Sequence, residues 1–152
     1  MKKKTSASII AIQRASLLAN IPPDRTLRKW IAAAIDTLTK PAELTLRIVN
    51  TVEARNLNSD FRGKDYATNV LTFVYSEPKA NMLQGDIVLC AQVINREARE
   101  QGKPINSQYA HLVVHGVLHL AGFDHEVEKD AKKMEALEAK IVMGLGFLHP
   151  YE

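Results

Sequence analysis

Residues His115 to His125 read H-G-V-L-H-L-A-G-F-D-H. Residues four apart on an α-helix share one face about a turn apart, so His115 and His119 can approach one metal ion from the same side. Gly122 follows three residues later, and glycine is the residue best suited to ending a helix through a left-handed turn. A chain turned back there brings His125 toward the same ion as a third nitrogen. Three protein nitrogens with an open fourth position describe a catalytic zinc site better than a structural one, which fills all four positions from protein. Paired histidines also occur in apolar helices simply as hydrogen-bonded core or surface residues. The third histidine beyond a glycine is what favours the metal.

The spacing equals that of the metzincin proteases, H-E-x-x-H-x-x-G-x-x-H. Gly116 stands where those enzymes carry the glutamate that takes a proton from zinc-bound water. The ligand pattern is kept while the protease's base is missing, which argues against peptide hydrolysis.

Periodicity supplies the elements that must position these residues. Ser8 to Ala15 is β-branched enough for a first strand. Pro22-Pro23-Asp24 suits a helix start with Asp24 as cap, and Leu27, Trp30, Ile31, Ala34, Ile35 and Leu38 recur at helical spacing before Pro41. That stripe reads as core. Glu43 to Val49 alternates as a half-buried strand, and a short helix is expected around Val52 to Asn58. Phe61 to Asn69 reads as a polar loop, Val70 to Tyr75 and Asp86 to Cys90 as strands, and Ala91 to Gln101 as a helix. After a linker from Gly102 to Asn106, Ser107 is a candidate cap for the helix carrying His111, His115 and His119. A last amphipathic helix is expected from about Val127 to Met143. The order predicts one α/β (α+β) domain over residues 1–152, a small mixed sheet of about four strands covered by helices. Its central apolar helix, Tyr109 to Leu120, holds two histidine ligands on a rigid element.

Composition fits that reading. The 152 residues are 46% hydrophobic and 24% charged with a formal charge of +3, an ordinary globular balance that permits an anionic partner without requiring one. A single cysteine, Cys90, excludes an internal disulfide and sits at the end of an apolar run, as a buried thiol would. The apolar stretch after Met1-Lys2-Lys3-Lys4 ends too soon for a signal peptide, and no segment reaches the roughly 18 apolar residues of a membrane span. A cytoplasmic protein with no membrane association is expected.

The motif H-G-x-L-H-L-x-G-x-D-H, with Thr68-Asn69-Val70-Leu71-Thr72-Phe73 and Gly85-Asp86-Ile87 before it, resembles the YbeY family of bacterial zinc-dependent endoribonucleases. The likeness runs from about Leu44 to Tyr151 and includes Asn56-Leu57-Asn58, Glu97-Ala98 and Met134-Glu135-Ala136-Leu137-Glu138. It implies a single-strand-specific endoribonuclease with one Zn2+, acting in maturation of the 3′ end of small-subunit rRNA and in ribosome quality control. Its partners would be rRNA and the ribosome or its small subunit; the oligomeric state is not implied. It places the zinc ligands at His115, His119 and His125, and an arginine important for activity at Arg62.

The catalytic set expected is Arg62, His115 and Asp124. A planar guanidinium at Arg62 matches two phosphate oxygens as charge builds during in-line attack, although a solvated loop charge is the alternative from sequence alone. Asp124 either orients a ligand imidazole or accepts a proton from bound water, or else is a turn residue capping the next helix. His111 lies a further turn before His115, too far along the axis to converge on the same ion, and is read as supporting or surface. Lys64, Arg96, Arg99, Lys129, Lys132 and Lys133 can guide an RNA backbone or be ordinary solvated charges, and Phe61 and Tyr66 can stack on bases or pack locally. The competing function is a ribosome-associated binding factor with a structural zinc site and little catalysis.

Overall fold

In Ala42–Val49, buried and more exposed residues alternate up to Ile48, as in a strand that turns one face to the main core. This strand, β2, lies beside β1 (Ile9–Arg14), and β4 (Leu83–Cys90) lies on its other flank, all three parallel. β3 (Val70–Val74) runs antiparallel to β4 and closes the sheet, whose order is β1-β2-β4-β3. Five helices accompany it among the described residues: α1 (Asp24–Ile35), α2 (Thr51–Arg62), α3 (Ala91–Gln101), α4 (Ile105–Leu120) and α5 (Glu128–Gly144). The computed structural model describes residues 7–77, 79–123 and 128–151, without the side chains of 128 and 129. The expected mixed four-strand α+β architecture is what the chain adopts.

The sheet divides the apolar residues unequally. Leu44, Leu46, Ile48, Ile87 and Leu89 point to one face and join Leu27, Trp30 and Ile31 of α1 and Val113, Val114 and Val117 of α4 in the main core. The intervening Val49, Val88 and Cys90 point to the opposite face, into a small cluster with Ala54, Leu71 and Val93. α4 is central: it packs on α1, α3 and α5 and on strands β3 and β4. Trp30, Ile31, Leu38 and Cys90 are buried, as their patterns require.

Gly116 sets how closely α4 lies on the sheet. A Cβ there would come within 2.9 Å of Ile87 Cγ2, closer than carbons pack. A side chain at this position, such as the glutamate of the metzincin pattern, would require Ile87 or α4 to shift. At the other end of α4, Gly122 takes φ +97. Its N–H bonds the His119 carbonyl and the Phe123 N–H bonds that of Leu118, a paired closure that ends the helix as expected.

Three local expectations are corrected. α2 runs to Arg62 rather than stopping near Asn58, so Phe61 and Arg62 are helical rather than in a loop, and Gly63 closes the helix. The cause is tertiary: the Asn58 amide donates to the Tyr66 carbonyl, and Arg55 pairs with Asp65, binding the last turns to the segment beyond them. α4 begins at Ile105 after Pro104, placing Ser107 inside the helix and shortening the linker. Asp24 caps nothing; it lies in the first turn of α1 and pairs with Arg14 of β1 at 3.0 Å.

Candidate metal centre

From Gln108 to Leu120, every residue of α4 is buried except His111, His115 and His119. Their spacing of four makes one row along the helix, and on this stretch that row alone reaches solvent. The packing that buries the other residues thus fixes the direction in which the three imidazoles point.

His115 and His111 meet α5 at Glu138, which is 0% exposed. His115 Nδ1 lies 2.5 Å from Glu138 Oε1, and His111 Nε2 lies 3.0 Å from Oε2. The Tyr151 hydroxyl donates to the same Oε2. Burial pushes the Glu138 carboxyl up, but the hydrogen bonds from His111, His115 and Tyr151 outweigh it and bring the pKa down from 4.5 to about 2. At neutral pH Glu138 is a carboxylate that can only accept hydrogen bonds. Tyr151 responds in the opposite sense: burial and the adjacent Glu138 raise its hydroxyl pKa.

His119, the next in the row, faces the edge strand instead, with Nδ1 3.4 Å from Thr72 Oγ1. The His115 and His119 ring centroids are 6.0 Å apart, a separation compatible with both rings reaching one ion through bonds of about 2.0–2.1 Å. An imidazole backed by a carboxylate is also the usual arrangement around metal-bound histidine, so these two side chains fit a zinc site.

Arg62 approaches the same place from the opposite side of β3. It ends α2 and donates through Nη2 to the Thr72 carbonyl at 2.7 Å, covering an outward backbone acceptor of the edge strand. Its guanidinium carbon lies 5.2 Å from the Phe73 ring centroid, and Phe61 packs edge-on against that ring. A cleft of about 460 Å³ joins Arg62, Lys64, Asn69, Thr72, His115 and His119. A second of about 660 Å³ shares Arg62, Thr72 and His119 but is walled by aromatic residues, Phe61, Phe73 and Tyr75.

The structure therefore brings together Arg62, His115 and His119. Asp124 and His125 lie outside the described residues, and among the described residues no group of three His, Cys, Asp or Glu is arranged to hold a metal. His111 is engaged with Glu138. Of the basic residues considered, Lys64 lines the cleft, whereas Arg96 is turned toward Glu100 on α3. Tyr66 is exposed and also lines the cleft. Burial raises the Cys90 thiol pKa, consistent with a packing role. Among the described residues no helix is long and apolar enough to cross a membrane.

Sequence reasoning missed Glu138 and Tyr151. For Glu138 a signal exists: it occupies the row of α5 that also carries the buried Met134, Ile141 and Val142, where a carboxylate needs partners.

The family described as endoribonuclease YbeY matches residues 13–146. Two similar proteins carry that same description. One, from Nitrosomonas eutropha, is 54% identical over 142 residues, covering 93% of this chain and 97% of its own. The other, from Aromatoleum aromaticum, is 53% identical over 133 residues, covering 88% and 83%. The solution structure of TM1509 from Thermotoga maritima aligns with a TM-score of 0.64 at 28% identity, over 88% of this chain and 87% of that one.

Proposed function

This chain belongs to the endoribonuclease YbeY family, and from that premise we propose that it is a zinc-dependent endoribonuclease cutting single-stranded RNA. Its biological substrate on this reading is rRNA, at the 3′ end of the small-subunit species and in ribosome quality control, with the small subunit as partner in the cytoplasm. The observation that carries the chemical reading is the cleft in which His115 and His119 meet Arg62 and Lys64.

His115, His119 and His125 would hold the ion, which when bound supplies a fixed double charge able to acidify water and polarise a phosphoryl oxygen. The chain's own groups do the rest. Arg62 presents a fork of donors to the phosphate, and because its guanidinium already rests over Phe73 and on the Thr72 carbonyl, little ordering remains to be done at binding. Lys64 adds a second positive charge at the same cleft. Asp124, adjacent to His125 in sequence, is assigned either to orienting that ring or to taking the proton. With Gly116, this position lacks the general base of a peptidase.

The test compares wild type and His119→Ala on one labelled single-stranded RNA, purified in parallel with zinc content measured. Cleavage by wild type alone, with the variant folded, supports the proposal. Equal cutting by both overturns the metal mechanism. If neither cuts free RNA or RNA presented on small subunits, the ribosome-binding factor with a structural zinc site becomes the better reading. Product termini then divide the two chemical routes, since only attack by the neighbouring 2′-hydroxyl leaves a 2′,3′-cyclic phosphate.

A further inference from the structure

We propose that Glu138 is a positioning residue for the metal centre: its buried carboxylate holds His115 in the tautomer protonated at Nδ1, and Tyr151 from the C-terminal segment steadies the carboxylate. The inference rests on reading His115 as a ligand, and adds what fixes that ligand's chemistry.

A carboxylate has no proton to give, so the ring nitrogen facing each of its oxygens must be the donor. His115 Nδ1, at 2.5 Å from Oε1, therefore carries the proton. In a neutral imidazole the lone pair then belongs to Nε2, the form a cation requires. Free neutral histidine favours the opposite tautomer, so the bond to Glu138 selects a minority form before any metal arrives. The same logic gives His111 its role. Its Nε2 donates to Oε2 at 3.0 Å and lies 3.2 Å from the Tyr151 hydroxyl, so that nitrogen is committed to the support and not to the ion.

Glu138 is fully buried, and a carboxylate in that position persists only where its hydrogen bonds offset the lost hydration. Three donors from two separate parts of the chain converge on it. His111 and His115 come from α4, while Tyr151 closes over from beyond α5, its ring 5.1 Å from that of His111. The C-terminal segment is thereby coupled, through Glu138, to the orientation of a ligand on α4.

The experiment uses the full chain stripped of metal and two readouts. Zinc affinity is measured by competition with a chromophoric chelator for wild type, Glu138→Gln, Tyr151→Phe and His119→Ala, with melting curves confirming that each is folded. The expected loss for Glu138→Gln is about 10- to 100-fold, with Tyr151→Phe in the same direction and smaller. Long-range proton–nitrogen spectra of the metal-free wild type, at a pH where the rings are neutral, should show His115 protonated on Nδ1. Protonation on Nε2 overturns the proposal. So does wild-type zinc affinity in folded Glu138→Gln and Tyr151→Phe while His119→Ala loses it. A wild type that binds no zinc sinks the metal reading itself, and the tautomer spectrum still decides whether Glu138 positions His115. Should Glu138→Gln fail to fold, Tyr151→Phe and the spectrum decide between these outcomes.

Discussion

The two sides of strand β3 are built on opposite physical terms. Toward α4 and α5, the chain buries a carboxylate completely and surrounds it with donors, so His115 is held by a charge that has nowhere else to go. Toward α2, Arg62 is exposed and rests on two backbone carbonyls, those of Phe61 and Thr72, and one aromatic ring. A metal ligand must stay where it is, and a buried ionic support resists displacement because breaking it strands a charge. Arg62, proposed to hold phosphate, instead keeps its charge open to solvent, and its stacking on Phe73 is worth only about 0.5–1 kcal/mol. The more rigid support is therefore the one around His115.

Three measurements test this contrast. The largest effect is expected from Arg62→Ala, which should lower kcat on single-stranded RNA by about 100- to 1,000-fold, the loss typical for removing one preorganised donor to developing charge. Zinc content should stay at the wild-type level, and a parallel loss of zinc would show that the two sides act as one unit. Next comes acid stability. The Glu138 pKa is depressed in the folded protein from 4.5 to about 2, so its contribution is complete above 4.5 and is lost as pH falls toward 2. Melting curves of the metal-free protein should therefore decline over that window, with Glu138 contributing on the order of 3 kcal/mol, and Glu138→Gln should make the decline shallower. A Glu138→Gln profile as steep as wild type would locate the acid sensitivity elsewhere. The smallest effect is expected from Phe73→Leu, which removes the ring beneath Arg62. Its cleavage rate should fall about two- to five-fold with zinc affinity unchanged. A fall as large as that of Arg62→Ala would mean the ring, rather than the guanidinium, organises the cleft.

Much of this was legible in the chain before its fold was known. α3 falls at Ala91–Gln101 as its pattern requires, and the turn at Gly122 follows the glycine that announces it. Periodicity reports burial, and burial decides those elements. The end of α2 was hidden because Asn56, Asn58, Ser59 and Asp60 have weak helix propensity, while the contacts holding that turn come from Asp65 and Tyr66. Within the site, spacing on α4 revealed that His115 and His119 share a face. Nothing local could pair His115 with Glu138, 23 residues away, or with the Tyr151 that steadies it. For His111, spacing leaves a supporting and a surface role open, and its bond to Glu138 selects the first.

The strand order also has a consequence for how the chain is made. β2 finds β1 already synthesised when it emerges, but β3 has only β4 as a sheet neighbour. Between the release of Val74 and that of Cys90, Val70–Val74 is a strand without a ladder. At about 5–20 residues per second that interval lasts roughly one to three seconds. An apolar edge left open that long invites pairing with other nascent chains. The short connection from Val74 to Leu83 keeps that interval brief.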